Sequence, residues 1–319
     1  MQSRMIDLDG PVHFVDFGAG ARVPGGQSPV IVCIHGLGGS NVNWRAVGPA
    51  LARSARVLAI DLPGFGRTPL AGRRTGIYAN RRLLDRFLTE VVGVPAVLMG
   101  NSMGGTIAIL EAASEPARVS GLVLVCPCVP KPAGVPSDIL FDREVAKCVA
   151  AYAVPGLSQR LMRRRRRRLG PEALIQESMR LACVDPGRIP EHALVALLEF
   201  ADERSRMPWA DAAYLEAARS LVILYTKGRR RFLQAIEDVQ APTLFIQGEA
   251  DRLTPLVSAE QIVLSRPDWG FAVLENVGHL PMLEDPERLV SVVEAWISAT
   301  ARSVFGRGRP TPRRTHEVA

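Results

Sequence analysis

Runs of Val, Ile, Leu and Ala at residues 30–34, 57–60, 96–99 and 122–125 are separated by helix-patterned sequence. A run that is apolar on both faces suits a strand covered on both sides. Alternation of such strands with helices marks βαβ units and a mostly parallel sheet. Residues 4–9 and 12–17 flank Asp9-Gly10, a hairpin signal, so an antiparallel pair should open the chain. The alternation stops near Pro127 and resumes with strand-like runs at 243–246 and 271–274. Residues 1–130 and 241–300 are therefore expected to form an α/β core, with 131–240 as an inserted helical domain. A last helix should use Asp285 as N-cap and Pro286 as its first residue and run to about residue 299. Residues 301–319 carry Gly, Pro and five arginines with little to bury, and are expected to be a basic, disordered tail.

Composition narrows the class. With 319 residues, 47% of them hydrophobic, the chain can bury a full core and is no disulfide-stapled miniature. Cys33, Cys126, Cys128, Cys148 and Cys183 are odd in number and without zinc-site spacing, which implies free thiols in a reducing compartment. The start, MQSRMIDLDG, lacks the apolar run of a secretory signal, and no stretch reaches the roughly 18 apolar residues of a membrane span, so a cytoplasmic location is expected.

The chemistry centres on Gly100-Asn101-Ser102-Met103-Gly104. This G-x-S-x-G pattern directly follows one strand-like run and precedes a helical pattern at 105–113, as a nucleophile elbow requires. Flanking glycines let the chain turn sharply, and the helix N-terminus favours developing negative charge. A serine hydroxyl also needs a base and a carboxylate to orient that base. His279, after the last strand-like run, and Asp251, after the preceding one, supply them in the chain order Ser, Asp, His. Glu249 is the rival acid. His13 lies in the opening hairpin, His192 in the insertion and His316 in the tail, all poorly placed for this role. Backbone N–H groups for an oxyanion are assigned to Met103 and, in the loop His35-Gly36-Leu37-Gly38-Gly39-Ser40, to Leu37, with Gly38 as the rival. His35 is read as a brace for that loop.

HGLGGSNVNW, AIDLPGFGRT, GNSMGG, QGEADRLTP and GHLPMLEDPE appear in an order and spacing that resemble the α/β-hydrolase superfamily over roughly residues 5 to 300, most closely its serine esterases and lipases. The resemblance implies an eight-stranded, mostly parallel sheet flanked by helices, with a helical cap between strands six and eight, and gives Asp61 a structural loop rather than a chemical role. A serine at the elbow is unlike epoxide hydrolases and haloalkane dehalogenases, whose nucleophile is aspartate. GNSMGG also resembles carbon–carbon hydrolases of ring-fission products. Those typically have tryptophan after the histidine and a Gly-Pro-Gly-like loop, where this chain has Leu280 and Leu37-Gly38-Gly39.

The expectation is a serine hydrolase that cleaves a small-molecule carboxylic ester through an acyl-serine, needing no cofactor or metal. The alternatives are a carbon–carbon bond or thioester hydrolase of the same fold, or a non-catalytic ligand-binding relative. Six arginines at 163–168 and three at 229–231 contribute to a net charge of +7. The solvated, self-repelling helix end is one account of them, and attraction to an anionic membrane surface is the functional one. Only 6% of residues are aromatic and no recognition motif accompanies the basic runs, so no nucleic-acid partner is expected.

Overall fold

The computed structural model of the protein describes residues 1–19, 29–130 and 157–305. Its sheet contains β1 (Gln2–Asp7), β2 (Pro11–Ala19), β3 (Val30–Ile34), β4 (Arg56–Ile60), β5 (Ala96–Asn101), β6 (Val119–Val125), β7 (Thr243–Gly248) and β8 (Gly270–Leu274). The spatial order is β1-β2-β4-β3-β5-β6-β7-β8. β1 and β2 pair antiparallel through a turn in which Asp9 (φ 55) and Gly10 (φ 114) both adopt positive φ, as the hairpin signal requires. β2 also runs antiparallel to β4, and from β4 onward every pairing is parallel.

β3 shows why the apolar runs read as they do. All five of its residues are buried, with Val30, Val32 and Ile34 in the core layer on one face and Ile31 and Cys33 in the layer on the other. Helices α1 (Ile77–Phe87) and α2 (Met103–Ser114) belong to the first layer, and α2, rich in Ala, Gly and Ile, is buried almost throughout. Among the described residues four α-helices lie between β6 and β7: α3 (Leu157–Ala182), broken at Gly170 (φ 74) before Pro171, α4 (Glu191–Ser205), α5 (Ala210–Thr226) and α6 (Arg229–Asp238). α7 (Leu256–Ser265) and α8 (Pro286–Phe305) follow β7 and β8. α8 runs past its expected end at 299, because Ala301 and Arg302 are good helix formers and no glycine intervenes before Gly306. The rest of the basic tail, Cys148 and His316 lie outside the described residues.

The helices between β6 and β7 touch loops that leave the carboxyl ends of the strands. Arg204 of α4 donates to Gly38 O after β3, and Thr75 and Ile77 after β4 bond to Ala213 and Ser220 of α5. Tyr225 Oη donates to Cys128 O after β6, and Ala182 of α3 accepts from His279 N–H after β8. Among the described residues no helix is long and apolar enough to cross a membrane.

Candidate active site

Ser102 is the single residue between β5 and α2, and its backbone lies at φ 53, ψ −119. Positive φ is costly for a residue with a Cβ and persists only where the surroundings fix it. They do so here: a Cβ on Gly100 would lie 2.5 Å from Gly104 O, and one on Gly104 2.2 Å from Ile34 O. Both glycines of the motif are thus required by close backbone approach. The turn leaves the Ser102 side chain partly accessible at the first turn of α2, where Met103, as the first helical residue, keeps its N–H free of an intrahelical acceptor.

The loop after β3 packs directly on this turn. A Cβ on Gly36 would be 3.0 Å from Ser102 Cβ, and Gly39 N–H closes the loop onto Gly36 O at 3.1 Å. Leu37, partly buried against the core, lies between them in sequence. His35 is fully buried, and both its ring nitrogens are engaged. Nδ1–H donates to Gly36 O at 2.8 Å and Nε2 accepts from Leu62 N–H at 3.1 Å, so its tautomer is set and it braces the loop.

Asp251 and His279 meet as the sequence order suggested. His279 Nδ1 lies 2.8 Å from Asp251 Oδ2 in a buried pair. The same carboxylate accepts from Thr254 Oγ1 (2.6 Å), Gln247 Nε2 (3.0 Å) and the N–H groups of Leu253 and Thr254 (2.8 and 2.9 Å). Burial pushes the Asp251 carboxyl up, but the His279 charge and the hydrogen bonds from His279 and Thr254 outweigh it and hold the group below its ordinary range. Asn101, beside the serine, donates from Nδ2 to His279 O at 3.1 Å and so links the elbow to the histidine loop. Among the described residues no hydrogen bond joins the Ser102 hydroxyl to His279. Glu249, the rival acid, accepts from the N–H of Asn276 at 3.0 Å instead.

Sequence reasoning did not single out Thr254, Gln247, Asn101 or Glu284. All four lie inside quoted motifs, but their roles depend on side-chain directions that spacing does not give. Cys126 Sγ, Asp251 and His279 offer ligand atoms within 4.8 Å of one another, a spacing a metal ion could use. Burial, with the Asp251 charge adding to it, raises the Cys126 thiol well above its ordinary range, which disfavours the thiolate a metal would need. His13 donates from Nδ1 to Asp61 Oδ2 at 2.7 Å, and Asp61 also accepts from Asn41 and Arg67, so this second buried pair ties the loop after β4 together.

A model of the Alpha/beta hydrolase family matches residues 31–292. The chain belongs to the alpha/beta hydrolase family. Among its relatives within that family, a pimeloyl-acyl-carrier-protein methyl ester esterase of Aromatoleum aromaticum is 30% identical over 271 residues, covering 83% of this chain and 97% of the relative. The monoacylglycerol lipase abhd6-B of Xenopus laevis is 25% identical over 287 residues, covering 88% of this chain and 78% of the lipase. Of solved hydrolase structures, that of a thermophilic esterase of Thermogutta terrifontis superimposes with a TM-score of 0.67 at 21% identity, over 94% of this chain and 99% of the other.

Proposed function

We propose that this hydrolase cleaves carboxylic esters through an acyl-serine intermediate, with Ser102 as nucleophile, His279 as general base and then acid, and Asp251 as the carboxylate that orients the imidazole. His279 accepts the Ser102 proton as Oγ attacks the ester carbonyl, and the alcohol leaves with that proton. Water then attacks the acyl-serine by the same route and regenerates the hydroxyl. The amides of Leu37 and Met103 hold the oxyanion, a contribution of about 3 to 4 kcal/mol per donor. Residues 131–240 serve as the cap that shapes the acyl and alcohol pockets over this edge of the sheet.

One observation carries the reading: a serine held at φ 53 between strand and helix, in a chain whose Asp251 and His279 are bonded at the same sheet edge. The esterase and lipase names of the relatives support ester as the substrate class. The test is the initial rate on a series of chromogenic esters from acetyl to palmitoyl, for the native protein and Ser102→Ala. Turnover lost in the variant supports the nucleophile, and the optimum chain length separates esterase from lipase. Equal rates in the two proteins on every ester refute the reading.

A second feature favours association with an anionic membrane surface. Arg160, Arg164, Arg167 and Arg168 line one open cavity of about 560 Å³ on α3. They recur at helical spacing, so they share a face, whereas Arg165 and Arg166 pair with Glu177 and Asp211. A lipid phosphate layer supplies the missing negative charge at that face.

A further inference from the structure

Arg204 stands apart from the other cations of α4 and its neighbours. Arg67 is bidentate to Glu203, and Arg166 pairs with Asp211 at 3.2 Å. Arg204 makes one hydrogen bond, from Nη1 to Gly38 O at 3.0 Å, and among the described residues no carboxylate lies within ion-pair distance of it. A guanidinium has five N–H donors and stays charged at any accessible pH. Four of these are left after the bond to Gly38, and none of its nitrogens is among the sealed, unpartnered polar atoms of the interior. They face space that solvent or a ligand can fill. The residue is only partly exposed, and burial, the largest influence, lowers the pKa of this group.

Its position gives the charge a purpose. Gly38 directly follows Leu37, whose N–H is the proposed oxyanion donor. Across that stretch of backbone the guanidinium stays within about 10 Å of the Leu37 N–H. A Cβ on Gly38 (φ +77) would lie 3.0 Å from Tyr214 Cε2 and 3.7 Å from Arg204 Nη1, so the glycine lets the loop approach both side chains. Among the described residues Arg67 pairs with Glu203 and Arg166 with Asp211, while Arg204, beside the loop, has no carboxylate at ion-pair distance. A partly desolvated, unpaired cation is costly unless an anion completes it.

We infer that Arg204 receives a carboxylate carried by the substrate, so that the preferred esters are half-esters of dicarboxylic acids. This rests on the ester-hydrolase reading above. A planar fork matches one carboxylate bidentately, and the carboxylate's negative charge matches the guanidinium's positive one. Specificity then arises because a neutral ester leaves the guanidinium unpaired when the substrate has displaced its water.

The experiment compares kcat/KM for ethyl half-esters from succinate to suberate with neutral ethyl esters of the same chain lengths, in the native protein, Arg204→Lys and Arg204→Gln. The native protein is expected to favour a half-ester at one or two chain lengths. Arg204→Gln should lose about 10- to 100-fold on that half-ester, mainly in KM, and at least tenfold less on the neutral ester. Arg204→Lys, with charge but no fork, should fall between. No preference for half-esters at any length, or an equal loss on both substrates in Arg204→Gln, overturns the inference and leaves Arg204 as a clamp on Gly38. Calorimetric binding of the same half-ester to Ser102→Ala and to Ser102→Ala/Arg204→Gln separates the two readings. Arg204-dependent binding supports the anion site even if no ester is turned over, and Arg204-independent binding overturns it.

Discussion

The backbone N–H of His279 donates to the carbonyl of Ala182 at 2.6 Å, which fastens the end of α3 to the residue proposed as general base. The neighbouring Gly278 allows this approach, since a Cβ there would lie 2.3 Å from Ala182 O. Its N–H donates to Glu284 Oε2 at 2.7 Å, while Glu284 Oε1 accepts from Asp185 N–H at 2.8 Å and from Arg188. One buried carboxylate thus holds the histidine loop and the segment after α3 together. Glu284→Gln places an amide where a carboxylate accepted several donors, and Glu284→Ala also leaves Arg188 without this partner. Steady-state kinetics should show kcat down by about 10- to 100-fold in Glu284→Gln with KM little changed. Thermal unfolding should show Glu284→Ala destabilised by about 3 to 5 kcal/mol. Native kinetics in Glu284→Gln would show that the histidine is positioned without it.

Asp251 accepts from five donors, and Asn at this position turns one acceptor oxygen into a donor facing His279 or Thr254. The imidazole then loses the partner that fixes its tautomer. Asp251→Asn is expected to lower kcat by about 10³- to 10⁴-fold while the fold persists. Glu249→Gln, at an exposed position away from His279, should stay within about threefold of native. A near-native Asp251→Asn would return Glu249 to consideration as the orienting acid.

The sheet was legible because buried parallel strands leave continuous apolar runs, and β3 falls at 30–34 as read. The elbow was legible because its glycines are forced by contacts under 3 Å with backbone, so the residue type itself carries the signal. Glu284 and Arg204 were not legible. Each is a charged residue in a helical or loop stretch, a type that is ordinarily solvated, and only the fold shows that Glu284 is buried and that Arg204 reaches a loop 166 positions away. The sequence offers the arginine run as a solvated helix end or a contact for an anionic surface, and only the fold pairs Arg165 with Glu177 and Arg166 with Asp211 and sets Arg164, Arg167 and Arg168 on one open face with Arg160.

Glu111 on α2 sits fully buried with Oε1 unpartnered and Oε2 3.2 Å from Arg81. Burial outweighs the Arg81 charge and pushes its carboxyl from 4.5 up to about 7. Between these values the folded chain keeps a proton that the unfolded chain releases, so this group's contribution to stability is full below pH 4.5 and is lost as pH rises through about 7. The loss amounts to about 3 kcal/mol. Glu111→Gln cannot titrate. Urea unfolding at pH 5 and pH 8 should therefore show the native protein losing stability relative to Glu111→Gln across that interval. A constant gap between the two proteins at both pH values rules out the raised carboxyl.

The four arginines of the open α3 face carry the membrane reading, and the charge there is removable without touching the elbow or the histidine loop. Each arginine near an anionic leaflet contributes about 1 kcal/mol, or roughly fivefold in partitioning, and the attraction is screened as salt rises. In sedimentation with phosphatidylcholine vesicles containing phosphatidylglycerol, the native protein should bind at low salt and be released at high salt. Pure phosphatidylcholine vesicles should leave it in the supernatant. The quadruple variant Arg160→Gln/Arg164→Gln/Arg167→Gln/Arg168→Gln should partition several hundredfold more weakly, while hydrolysis of a soluble short-chain ester stays near native. Binding to anionic vesicles that survives the quadruple variant would place the contact elsewhere on the protein, and absence of binding in the native protein would leave the arginine face as solvated surface.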